Sequence, residues 1–261
     1  MTMLPGLVCE LFSASPLDPQ RYAEPLFAIL DDWRYRPSKY GDSEPLRNKW
    51  GDRRAFCETC KACASMYFGP VIVAWNKPRF GLMITHESGP KVKSHSLSIF
   101  SCQPKHFGGN GAPYLLELAD TLFDTMGFTY GFACLNAEYH SHNIVPATYL
   151  DGVTVRPQRV VGMEWPDCIP GFYWCNYFGD AYLSEGLSTA FRGLPNTTPL
   201  ARGIRVLRSA SALDWDLPEE RARSAELVAA CGPDWFFSKR SGMPAKALRS
   251  NKDAFRSPMT P

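Results

Sequence analysis

The chain has 261 residues, and 28 Lys plus Arg against 26 Asp plus Glu leave a formal net charge of +2. That near-balance excludes a whole-molecule field pulling on nucleic acid, and equally a globally acidic mimic of DNA. Hydrophobic residues make up 45% and aromatics 13%. This is enough apolar surface to offset chain entropy, so the chain is not disordered, and its length fits one large domain or two small ones.

No apolar run approaches the roughly 20 residues of a membrane span. The segment Val71-Ile-Val-Ala-Trp75 stops after a few residues, and Met1 to Glu10 has neither a basic leader nor a cleavage site. The expectation is a cytoplasmic protein with no membrane partner. Nine Cys, an odd number at irregular spacing, fit a reducing compartment in which most are small buried hydrophobes.

In chain order, residues 6–13 predict a strand, with Leu7, Cys9 and Leu11 on one face and Val8 and Phe12 on the other. Asp18-Pro19 then reads as cap and first turn of a helix running to about residue 33, with Tyr22, Leu26, Ile29, Leu30 and Trp33 on one stripe. Pro25 inside that pattern predicts a late start near Glu24 or a kink. Residues 34–50 read as a polar surface excursion and 53–65 as a second helix. Strands follow over 66–75, 80–86 and 93–102, joined by connections too short for a crossover helix, so antiparallel pairing is expected.

Residues 107–113 are a Gly-rich turn, and 114–126 form the clearest helix, closed by Gly127. A strand is expected over 128–136, an irregular stretch over 138–170, and a core strand over 171–178. After a mixed segment, 217–231 reads as the last strong helix. Strands in runs with segregated helices predict an α+β fold, mainly an antiparallel sheet with helices against it. The domain should span 1–238, with a subdivision conceivable near 138–170, and 239–261 is a basic, loose tail.

Three clusters raise the question of chemistry. Cys57-Glu-Thr-Cys60-Lys-Ala-Cys63 holds two successive C-x-x-C steps, with Cys102 a conceivable fourth metal ligand. Helical spacing reads the same residues as a packed stripe of small side chains. Glu138, His140 and His142 would share one face of a strand, a minimal geometry for zinc or acid–base work, but no partner motif accompanies them. Phe107-Gly-Gly-Asn-Gly111 lacks the Lys-Ser/Thr of a phosphate loop and reads as a turn. No catalytic residue, cofactor or metal is assigned.

Charge is unevenly placed despite its balanced sum. Asp214, Asp216, Glu219, Glu220, Glu226 and Asp234 cluster around the last helix, and Lys239, Arg240, Lys246, Arg249, Lys252 and Arg256 follow it. The first group reads either as an acidic edge complementary to a basic partner or as a solvated helix start.

The segment Gly171-Phe-Tyr173-Trp174-Cys-Asn176-Tyr177-Phe178-Gly179 carries aromatics on both faces, the mark of a central strand packed on both sides. A buried Asn176 needs hydrogen-bond partners and would pin a loop. Together with the opening Leu7-Val-Cys-Glu-Leu-Phe12, this segment resembles the immunity protein 52 family, bacterial immunity proteins linked to type VI secretion. The resemblance spans roughly residues 4–237. It implies an α+β fold, a cytoplasmic location and a single role, that of binding and blocking a cognate toxin, a nuclease of the restriction-endonuclease-like class. It brings no catalytic residues. Trp174, Asn176, Tyr177 and Gly179 carry over only as motif positions with structural roles.

On that reading Trp165 and Trp215, each flanked by acids, are the candidate anchors, and Asp214, Asp216, Glu219 and Glu220 the candidate partner-binding acids. The sequence leaves room for a homodimer. The alternatives are a Cys-rich metal-binding or redox protein, and a nucleic-acid-binding module that uses the basic tail.

Overall fold

A computed structural model describes residues 6–13, 15, 17–66, 68–76, 80–87, 95–102, 112–146, 158–160, 165, 168–183 and 188–238. The tail 239–261 and the Gly-rich turn at 107–111 lie outside the described residues. No described helix is long and apolar enough to cross a membrane.

The chain folds as β1 (Leu7–Ser13), α1 (Pro19–Asp32), β2 (Lys39–Gly41), β3 (Asn48–Lys49), α2 (Arg53–Ala64), β4 (Phe68–Trp75), β5 (Phe80–Glu87) and β6 (His95–Cys102). Then come α3 (Pro113–Met126), β7 (Tyr130–Leu135), α4 (Asn136–Asn143), β8 (Ile144–Pro146), β9 (Gln158–Val160) and β10 (Cys175–Gly179). The end is α5 (Asp180–Tyr182), α6 (Ser188–Arg192), β11 (Thr197–Leu200), β12 (Gly203–Leu207) and α7 (Pro218–Cys231).

Ten strands form one sheet in the order β11-β12-β10-β7-β1-β6-β5-β4-β2-β3, and β8 pairs with β9 apart from it. The named strands all pair antiparallel. The fold is α+β, as expected. β1 lies at the centre, bonded to β6 and β7. Helices α1, α2 and α3 cover one face, packing on one another and on β4, β5 and β1. The other face carries an aromatic layer: Tyr130 stacks on Trp165, Phe132 on Tyr173 at 4.2 Å, and Phe178 on Phe191 at 4.2 Å.

Local sequence explains most of this. Asp18 caps α1 by accepting from the Gln20 N–H, and Asp52 caps α2 through Ala55. Helix α1 runs from Pro19 through Pro25 to Asp32, so the late start does not occur; the apolar stripe holds the helix across one missing N–H. Gly127 ends α3 in the left-handed region at φ 66°. The excursion 34–50 is more than surface: it pairs as β2 and β3, buries Tyr40, and stacks Trp50 on Phe27 at 4.5 Å.

The aromatic segment is a core strand, but only from Cys175 onward. Residues 171–174 are irregular and buried, and Asn176 holds them there. Its Oδ1 accepts from the Tyr173 N–H at 3.0 Å, and its Nδ2 donates to the Tyr173 carbonyl at 2.9 Å. Tyr177 donates to Asp120 on α3, and Trp174 donates to the Ser209 carbonyl. A side chain at Gly179 would crowd the Phe128 and Thr129 carbonyls at 3.0 Å, so glycine is the residue that lets β10 reach that turn. Asn176→Ala is expected to cost about 2–3 kcal/mol in denaturant unfolding, because it strands both Tyr173 backbone groups. A change under about 0.5 kcal/mol would contradict this.

Glu10 gives a pH dependence. It stands on β1 between Ser98 and Phe132, and burial pushes its carboxyl from 4.5 up to about 7 against the opposing Ser98 hydrogen bond. Between those values the folded chain keeps the proton that the unfolded chain has released. Stability from Glu10 is thus fully present below about pH 4.5 and lost as pH rises through about 7. Melting of wild type and Glu10→Gln from pH 4 to 8 should show a shallower decline in the variant; identical slopes would refute the assignment.

Candidate functional site

Strand β12 ends at Leu207, and the Arg208 N–H bonds the Trp174 carbonyl at 2.9 Å. This turns the Arg208 side chain inward, where it is 2% exposed. Its Nη1 donates to Oε1 of Glu138 on α4, and its Nε lies 3.3 Å from Oε2 of Glu220 on α7. One guanidinium thereby ties β12, α4 and α7 together. Arg223 adds a contact to Glu220 at 3.5 Å. Burial pushes the Glu138 carboxyl up to about 7, and Arg208 opposes that rise.

Ser211 caps the following turn of 3-10 helix, Ala212–Asp214, by accepting from the Leu213 N–H. Pro218 then starts α7, with Glu219 and Glu220 in the first turn complementing its dipole. Between the two lies an unusual surface. Leu213 is 39% exposed and Leu217 46%; of the large hydrophobics so exposed among the described residues, Met66 alone lies elsewhere. Trp215 sits between them, half-buried against the core. Asp214, Asp216 and Glu219 are exposed around it. Apolar residues rimmed by charge mark interaction surfaces, and Trp is a favoured anchor.

A groove of about 430 Å³ opens beside this patch. Trp215 lines it at one side, Ser141 and His142 of α4 at another, and Ser224, Val228 and Ala229 of α7 along its length. Arg208 and Glu220 are its buried floor.

The structure brings Asp214, Trp215, Asp216 and Glu219 onto one surface. It corrects two further candidates. Trp165 is 1% exposed and stacks on Tyr130, so it is a core residue and no anchor; its acidic neighbours lie outside the described residues. Glu220 is 8% exposed, because a guanidinium behind α7 draws it in. Among the motif positions, Trp174, Asn176, Tyr177 and Gly179 are all buried and structural.

Glu138, His140 and His142 lie on helix α4 rather than on a strand. Helical period puts Glu138 and His142 on one side, 4.0 Å apart, and turns His140 away. The predicted common face does not exist, since Asn143 bonds Tyr173 and holds this polar stretch helical. Cys57, Cys60 and Cys63 lie on α2 and are buried. Burial raises the thiols, Cys60 to about 12 and Cys63 to about 11, which opposes the thiolate a metal or redox role needs. A side chain at Gly69 would collide with the Cys63 carbonyl, so β4 passes directly against this helix. The Cys102 side chain is outside the described residues. Among those described, no group of three or more His, Cys, Asp or Glu is placed to hold a metal ion.

Sequence reasoning misses Arg208, Leu213 and Leu217. The alternation Leu213-Asp214-Trp215-Asp216-Leu217 is the signal that marks the patch. Nothing near Arg208 in sequence announces its partners, which come from 70 and 12 residues away.

No family model and no curated protein matches the chain. Among solved structures, the Pseudomonas aeruginosa T6SS protein PA0821 aligns with a TM-score of 0.54 and 12% identity, over 96% of this chain and 81% of that one. The two share a fold. A chain from a complex of the toxic C-terminal tip of Pseudomonas aeruginosa CdiA with its immune protein aligns at a TM-score of 0.30 and 9% identity, over 50% of this chain and 87% of that one. That score is too low for a shared fold.

Proposed function

We propose that this chain is an immunity protein: it binds a cognate toxin in the cytoplasm and blocks it, with no reaction of its own. The observation that carries this reading is the patch of Leu213, Trp215 and Leu217 within its acidic rim. A stable scaffold that leaves leucines and part of a tryptophan in water at one place is built to be covered. The fold shared with a type VI secretion protein supports that secretion setting, and the aromatic motif supports kinship with the immunity protein 52 family.

The toxin is a nuclease in this reading, of the restriction-endonuclease-like class. A nuclease must carry a basic face for its substrate, and Asp214, Asp216 and Glu219 oppose such a face. The acids set association rate and register; Trp215 supplies the anchor.

The test is co-expression with the effector encoded beside this chain. The expected result is a complex that survives purification, with loss of nuclease activity on adding the purified chain. Absence of binding at micromolar concentration would overturn the proposal.

A further inference from the structure

The groove beside Trp215 has a charge opposite to its rim. Arg208 and Arg221 line it against one lining carboxylate, Glu220, with the His142 ring beside them. With Arg223 behind, three guanidiniums face two carboxylates, Glu138 and Glu220. Arg208 is built in, being 2% exposed. Its Nε and Nη1 are engaged by Glu220 and Glu138, while its Nη2, like Oε2 of Glu138, is buried with no hydrogen-bond partner among the described residues. A buried charged donor without an acceptor is costly, and it marks where an acceptor would be gained. The walls at Val228 and Ala229 are apolar.

We infer that the groove seats one acidic side chain of the toxin, its carboxylate on Arg208 and Arg221 and its methylene stem on Val228 and Ala229. This rests on the immunity reading and sharpens it. Trp215 lines both the patch and the groove, so a partner anchored on the tryptophan is delivered to the groove mouth. The partner surface is therefore specified twice: basic around Asp214, Asp216 and Glu219, with one carboxylate projecting beside Trp215. A partner with only the basic face would leave the Arg208 nitrogen buried and unpaired, which discriminates against other basic proteins.

Ala229 and Arg221 are exposed on α7, so Ala229→Trp, which fills the groove, and Arg221→Glu, which reverses its charge, should both keep the fold; melting curves check this. Toxin affinity should fall about tenfold or more for each. In the toxin, one exposed Asp or Glu replaced by Ala should cause a similar fall, with no further loss when paired with Ala229→Trp. Wild-type affinity in Ala229→Trp, or no toxin carboxylate coupled to it, overturns the groove assignment while toxin binding by the wild type still stands. A wild-type chain that binds no toxin overturns the immunity reading and this inference with it.

Discussion

Arg208→Met should lower the unfolding free energy by about 3–5 kcal/mol, the largest stability effect expected in the molecule. The arginine is 2% exposed and holds Glu138 and Glu220, both buried. Removing it leaves Glu138 in the interior without a guanidinium and Glu220 with only the longer contact to Arg223. For a chain of this size the loss corresponds to a fall in Tm on the order of 10 °C. The cost comes from stranded partners, not from the pair's own worth. Adding Glu138→Gln and Glu220→Gln to Arg208→Met should therefore recover a large part of it. Chemical denaturation of the single and triple variants measures both. A loss below about 1 kcal/mol for Arg208→Met, or no recovery in the triple variant, would refute the account.

Trp215→Ala should weaken toxin binding by at least about 2 kcal/mol, roughly 30-fold in Kd, with a modest fall in Tm from the core packing that the indole loses. The tryptophan is half-buried, so part of its indole already packs on the core and the rest is presented in a fixed orientation, which keeps the ordering cost of binding low. Leu213→Ala and Leu217→Ala should each cost about 1 kcal/mol. Neutralising Asp214, Asp216 and Glu219 together should act differently: a slower on-rate and a weaker salt dependence, with the off-rate nearly kept. Met66→Ala serves as the control, an exposed hydrophobic away from the patch. Surface plasmon resonance against the effector separates these cases. A Trp215→Ala variant that binds as wild type would remove the patch from the interface.

The sheet is readable because its strands alternate or run apolar between strong breakers. β1, β4, β5 and β6 begin and end within two residues of where their side-chain pattern places them. The long helices are readable from stripes and caps: Asp18 and Gly127 each act where local chemistry puts them. The elements that escape are those stabilised from a distance. Helix α4 has no side-chain cap and little apolar face; Tyr173 and Arg208 hold it. The hairpin of β11 and β12 is fastened by Asp124, which accepts from the Ala201 and Arg202 N–H groups at 3.1 Å, and by Asp120 on Arg205. At the site, the acids at 214, 216 and 219 are legible as a local cluster. The burial of Glu220 and Trp165 is not, because burial depends on what packs behind a residue, and flanking acids say nothing about that.

The place of β1 has a consequence for how the chain comes to exist. The strand at residues 7–13 leaves the ribosome well before its two neighbours, residues 95–102 and 130–135. At ordinary elongation rates of about 5–20 residues per second, it waits on the order of ten seconds for both. Until then its apolar residues and both edges stand open, while α1 and α2, which pack on each other, are already close in sequence. Closure then needs long-range pairing, the slow class of folding step. A chain begun at a given moment therefore stays unfinished through that interval, and on the proposed immunity reading protection would come from chains completed beforehand.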